Sequence, residues 1–69
     1  MIKAIIIEDE PKLREANRIL LESNFSDITV VGETDSVNGG VELIRREKPH
    51  LVLMDIEIKA EPALISYSN

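Results

Sequence analysis

Apolar residues in this chain fall into three short runs, Met1 to Ile7, Ile28 to Val31 and Leu51 to Met54, separated by two longer stretches where they recur every three or four positions. The first run reads Met-Ile-Lys-Ala-Ile-Ile-Ile and stops at Glu8-Asp9-Glu10. A β-branched run without alternation is the pattern of a strand covered on both faces, as in a parallel sheet. Pro11 can open a helix, where its missing amide proton costs nothing, and an acid at Asp9 or Glu10 suits the positive end of the helix dipole. Leu13, Ala16, Ile19, Leu20 and Phe25 then recur at steps of three and four, with Lys12, Arg14, Glu15, Arg18 and Glu22 facing elsewhere, and Asn24 is the expected stop.

The second strand is expected within Asp27 to Glu33, closed by Gly32 and a polar cluster in which Asp35 or Ser36 can cap the next helix. In that helix Val37, Gly40, Val41 and Ile44 share one side, and Arg45, Arg46 and Lys48 sit near the negative end of the dipole. The adjacent Gly39 and Gly40 each cost it about 1 kcal/mol against alanine. Pro49 ends it, and Leu51 to Met54 is a third strand, ending in Asp55 and Glu57. The order is β-α-β-α-β, an α/β chain whose crossovers in one sheet should be right-handed. Leu13, Ala16, Ile19, Val37, Val41 and Ile44 are the expected core of the helices, His50 an exposed turn residue, and Arg45-Arg46-Lys48 a solvated helix end.

The 69 residues suffice for one small domain or part of a larger one, with a marginal core. There is no cysteine, which excludes disulfides and thiolate zinc sites, and one histidine. A net charge of −5 argues against direct nucleic-acid binding. The apolar runs fall far short of the roughly 20 residues of a membrane span, and the N-terminus lacks the layout of a signal peptide, so the chain is expected in the cytoplasm without membrane contact.

In an open parallel sheet, ligands bind beyond the carboxyl ends of the strands. Glu8 and Asp9 end the first strand and Asp55 ends the third, so if those strands are neighbours the three acids meet at one spot. Clustered carboxylates repel one another and are stabilised by a hard divalent cation, for which Mg²⁺ is the natural choice.

These residues carry a resemblance. Ile-Ile-Ile-Glu8-Asp9-Glu10-Pro11, then Val-Val-Gly-Glu33, Lys-Pro-His-Leu-Val and Leu-Val-Leu-Met-Asp55-Ile56-Glu57, are similar in type and order to the receiver domain of bacterial two-component response regulators, most closely the LytTR-type regulators. The resemblance covers residues 1 to about 58. It implies the first half of a flavodoxin-like sheet of order 2-1-3 and signalling by phosphorylation rather than enzyme turnover. It further implies that Asp55 is the phosphoacceptor, taking a phosphoryl group from a sensor histidine kinase. Glu8, Asp9 and Asp55 would hold Mg²⁺, with Glu57 contributing its backbone carbonyl. The parent would be a DNA-binding transcriptional regulator.

The family's Ser or Thr at the end of strand four and its Lys at the end of strand five have no counterpart in residues 1–69, so the receiver is expected to be truncated and its phosphorylation impaired. Residues 59–69, Lys-Ala-Glu-Pro-Ala-Leu-Ile-Ser-Tyr-Ser-Asn, depart from the family. Joining each codon's third base to the next two permits Gly-Thr-Gly-Ile-Asp-Leu-Leu from Ala60 onward, which fits the family better; a frameshift near Lys59 is the leading expectation, with a genuine tail or an artificial junction as the alternatives. Three functions compete: the receiver; an interaction fragment that docks a kinase or another receiver; and a Mg²⁺-dependent phosphohydrolase of the haloacid dehalogenase type. The last requires Asp-x-Asp where this chain has Glu8-Asp9-Glu10. A bare third strand, or helix one, is expected to promote self-association.

Overall fold

A computed structural model describes residues 1–55. The elements are β1 (Ile2–Glu8), α1 (Pro11–Asn24), β2 (Ile28–Thr34), α2 (Val37–Glu47) and β3 (Leu51–Asp55), with the strands parallel in the order β2-β1-β3. This is the expected α/β arrangement, consistent with the first half of a flavodoxin-like receiver. The sequence reasons for the breaks hold. The Glu10 side chain caps α1 by accepting from the Lys12 amide, with Pro11 opening the helix. Ser36 caps α2 by accepting from the Gly39 amide at 3.0 Å, and Lys48, in the left-handed conformation at φ 48°, turns the chain out of α2 before Pro49. Residues 56–69, including Glu57 and the divergent tail, lie outside the described residues.

β1 is the centre of the molecule because its isoleucines have a neighbour strand on each side and a helix over each face. Ala4, Ile5, Ile6 and Ile7 are buried, and so is Glu8. Parallel register partners share a face of the sheet, and the two faces are distinguishable here. Ile7 lies against Gly40 of α2, and Gly32, the partner of Ile5, lies against Leu43 of α2. Glu33, the partner of Ile6, is bound by Arg14 and Arg18 of α1. Ile5 and Ile7 therefore face α2, while Ala4, Ile6 and Glu8 face α1.

The ladder between β1 and β2 is interrupted. Ala4 pairs with Val30 but Ile5 pairs with Gly32, so Val31 is an extra residue in β2. A one-residue shift exchanges the faces of everything that follows. Without it Glu33 would face α2; with it Glu33 faces α1, and the glycine falls where Leu43 needs room.

Much of the expected helix core is not covered. Leu13 is 50% exposed and Leu20 59% exposed, and Ala16, Ile19, Phe25, Val37, Val41 and Ile44 are exposed too. The better-covered residues of α1 are Arg14, Asn17, Arg18 and Leu21. Both helices pack on β1 and β2 and, among the described residues, neither packs on β3. Periodicity identified an apolar side of each helix that the three strands among the described residues leave exposed. The packed helix core reduces to Gly40 and Leu43. The glycines that weaken α2 locally are what let it approach: a methyl group on Gly40 would collide with Ile7.

His50 is exposed, as expected, but it is not idle. Its amide donates to the Lys3 carbonyl at 2.8 Å and its Nδ1 accepts from the Lys3 amide at 2.9 Å, starting the β1–β3 pairing. Lys3 also reaches the carbonyl of Glu47, fastening the end of α2 to the same point.

Candidate functional site

The carboxyl ends of β1 and β3 are level. Their ladder runs from Ala4 opposite Leu51 to Glu8 opposite Asp55, so the last residue of each strand is the other's partner. A shared face follows from the register, and it is the face under α1. Around this pair opens a cleft of 260 Å³ lined by Glu8, Asp9, Glu10, Leu13 and Asp55. Such a volume holds several waters as well as an ion. The position agrees with the rule that ligands sit beyond the carboxyl ends of parallel strands.

The acids differ in their surroundings. Glu8 is 2% exposed; its Oε2 accepts from the Glu10 amide at 3.0 Å, and its Oε1 is buried with no hydrogen-bond partner. A buried carboxylate oxygen without a donor is costly and invites a cationic or protonated neighbour. Asp9 and Asp55 are exposed, and Glu10, occupied as the helix cap, is half-buried.

Among the described residues, no group of three or more His, Cys, Asp or Glu side chains is arranged to hold a metal ion. Mg²⁺ asks for less than that, because it is usually held by one or two carboxylates and keeps several waters. The facing pair Glu8 and Asp55, with one buried oxygen unsatisfied and room for water beside it, fits such an ion. Asp9, next along the chain, lines the same cleft.

Residues 4–61 match the model of the response regulator receiver domain. The chain belongs to the response regulator receiver family. Among its curated relatives, the transcriptional regulatory protein BtsR of Shigella flexneri is 38% identical over 58 residues, which are 84% of this chain and 24% of BtsR. BvgA of Bordetella pertussis, whose name describes a transcription regulator of virulence factors, is 43% identical over 56 residues, 81% of this chain and 26% of BvgA. The sensory transduction protein LytT of Bacillus anthracis is 31% identical over 58 residues, 84% of this chain and 23% of LytT. The receiver chain thus spans about a quarter of the length of these relatives. No solved structure matches it. Among the described residues no helix is long and apolar enough to cross a membrane.

This receiver's cleft has a second layer that sequence reasoning missed. Arg14, assigned with Arg18 to the polar side of α1, donates from Nη1 to the Glu8 carbonyl at 2.9 Å. Its Nε lies 3.5 Å from Glu33 Oε1, and Arg18 Nε lies 3.2 Å from Glu33 Oε2. Nothing in the residue pattern signals this, since it depends on the bulge at Val31 that turns Glu33 toward α1.

Proposed function

We propose that this chain is the N-terminal part of a phosphoacceptor receiver, with Asp55 as the acceptor and Glu8, Asp9 and Asp55 around a Mg²⁺ ion. The observation that carries the reading is the pairing of Glu8 with Asp55 at the strand ends, with the Glu8 Oε1 buried and unpartnered beside an open cleft. Glu57 would add its backbone carbonyl, as the resemblance implies. Asp55 is exposed, as a nucleophile must be to meet a phosphohistidine on a separate kinase. A bound Mg²⁺ supplies charge neutralisation for the phosphoryl oxygens and for the carboxylates around it. One Asp55 oxygen forms a bond to phosphorus as the bond from phosphorus to the imidazole nitrogen breaks, and the electron pair of that bond stays with the imidazole. Glu8, buried and held by the Glu10 amide, keeps its carboxyl group in place at the strand end. Leu13 limits water on the helix side of the cleft.

The donor in this reading is a sensor histidine kinase, the parent a LytTR-type DNA-binding regulator, the compartment the cytoplasm, and the chain itself no enzyme. The similarity to LytT and to two transcription regulators supports the parentage. Residues 1–58 are the receiver part and residues 59–69 a tail read from a shifted frame. The encoding DNA tests this: a second frame continuing past the Lys59 codon into a receiver and a DNA-binding domain supports it, and no such frame refutes it.

The test of the acceptor is intact mass after incubation with acetyl phosphate and Mg²⁺. Addition of one phosphoryl group, abolished by Asp55→Asn and by chelation, supports the reading. A second reading, a docking fragment without phosphorylation, is favoured by the exposed Leu13, Ile19 and Leu20 on α1. Binding to a kinase that is unaffected by Asp55→Asn, without any acyl phosphate, would establish it instead.

A further inference from the structure

We propose that Arg14 is a positioning residue of the acidic cleft, and that Glu33, delivered to it by the bulge in β2, holds it in place. The inference rests on the reading of the cleft as a cation site.

The carbonyl that Arg14 binds belongs to the peptide joining Glu8 to Asp9. Because a peptide unit is planar, fixing the direction of that carbonyl fixes the plane from which both acids leave. Glu8 ends β1, so beyond it the direction of the chain is no longer set by the strand ladder. Arg14 therefore governs the first link that the sheet does not.

Arg14 is itself constrained. Its side chain is only 22% exposed, and its guanidinium spans two acceptors, the Glu8 carbonyl at Nη1 and the Glu33 carboxylate near Nε. Glu33 is shared with Arg18, which also approaches Glu15 and Glu22, both at 3.9 Å. Arginine suits the position because its rigid fork reaches two acceptors at once, which a lysine ammonium on a flexible stem does not. The bulge completes the device, since in an unbroken register Glu33 would lie on the α2 face.

A positive charge beside a cation site repels the cation, so charge and positioning predict effects of opposite sign. If charge is what matters, removing Arg14 tightens cation binding. If position is what matters, removing Arg14 weakens it, and so does a lysine that keeps the charge but loses the fork.

The experiment is a Mn²⁺ titration of the 69-residue chain followed by electron paramagnetic resonance of the free ion, with thermal melts of each variant alongside. Arg14→Lys and Arg14→Gln are expected to weaken Mn²⁺ binding about tenfold, within the span seen for outer-shell partners of metal ligands. Glu33→Gln should weaken it less, and should add nothing in the Arg14→Lys background. Glu33→Gln leaves Arg14 intact and keeps the test alive if an Arg14 variant fails to fold. Arg14→Gln binding Mn²⁺ more tightly, or Arg14→Lys binding it as the parent chain does, overturns the inference and leaves the cation site standing. No Mn²⁺ binding by the parent chain, or binding indifferent to Glu8→Gln, overturns the cation site and this inference with it.

Discussion

Glu8 and Asp55 face each other across the last rung of the β1–β3 ladder, one buried and the other open to solvent. In the proposed reading this contrast divides their work: Glu8 is buried and held in place at the strand end, and Asp55 is open to a phosphodonor. A buried carboxylate with an unpaired oxygen is also a standing cost to the fold, of the kind accepted at functional sites.

That cost can be measured. Glu8→Gln keeps an acceptor for the Glu10 amide and removes the buried charge. It should stabilise the metal-free chain by about 1 kcal/mol, because a neutral amide left unpartnered at the Oε1 position costs less than a charged oxygen there. Mg²⁺ at a hundred times its dissociation constant should stabilise the parent chain by about 2.7 kcal/mol and the variant not at all. Chemical denaturation with and without Mg²⁺ reads both effects. A variant less stable than the parent in the absence of metal would mean that the Glu8 carboxylate is satisfied after all.

The approach of α2 to the sheet depends on the absence of a side chain at Gly40. Gly40→Ala would gain up to about 1 kcal/mol of helix propensity, yet it should destabilise the chain by about 1–3 kcal/mol through overpacking against Ile7. The nearest atom to the new methyl is Ile7 Cδ1, so Ile7→Val should relieve part of the loss. A double-mutant cycle showing simple additivity would rule out this contact as the cause.

At the opposite end of the sheet, His50 pins the start of β3 to Lys3 through two hydrogen bonds, one of which uses the ring. His50→Ala removes the ring acceptor and should cost about 0.5–1 kcal/mol, the low end for an exposed hydrogen bond. Faster hydrogen exchange at the Lys3 amide is the specific readout. Unchanged exchange there would show that water replaces the ring at no cost.

The order of elements was legible because it is written in local chemistry: β-branched runs for strands, Pro11 and Pro49 as punctuation, an acid at Asp9 or Glu10 before the first helix and a cap at Asp35 or Ser36 before the second. The acidic strand ends were legible for the same reason, since Glu8 and Asp55 each close an apolar run. Coverage was not. The spacing of Leu13, Ile19 and Val41 marks a helix side suited to burial, but burial needs a partner surface, and among the described residues these three stay exposed while both helices pack on β1 and β2 alone. Arg14 and Arg18 were misplaced because the face that Glu33 takes is decided at Val31, by a ladder irregularity that has no residue signature.

That uncovered surface has a consequence for solution behaviour. β3 has a strand partner on one side only among the described residues, and Leu51, Val52 and Met54 are exposed, Met54 at 56%. Unprotected apolar edges pair with other chains. Sedimentation velocity should show association that rises with concentration, and Met54→Lys or Val52→Lys should reduce it. A monomer at all concentrations would dismiss the edge as an association surface.

The proposed acceptance of a phosphoryl group at Asp55 and the proposed positioning role of Arg14 both require a divalent cation at the ends of β1 and β3. The most direct measurement is a Mg²⁺ titration of the isotopically labelled chain, followed through its backbone amide resonances. Saturable shifts concentrated at Glu8, Asp9, Glu10 and Asp55, and lost in Asp55→Asn, are the predicted result. Shifts spread evenly over the acidic surface, or equally large in Asp55→Asn, would contradict a cation site built on the Glu8–Asp55 pair.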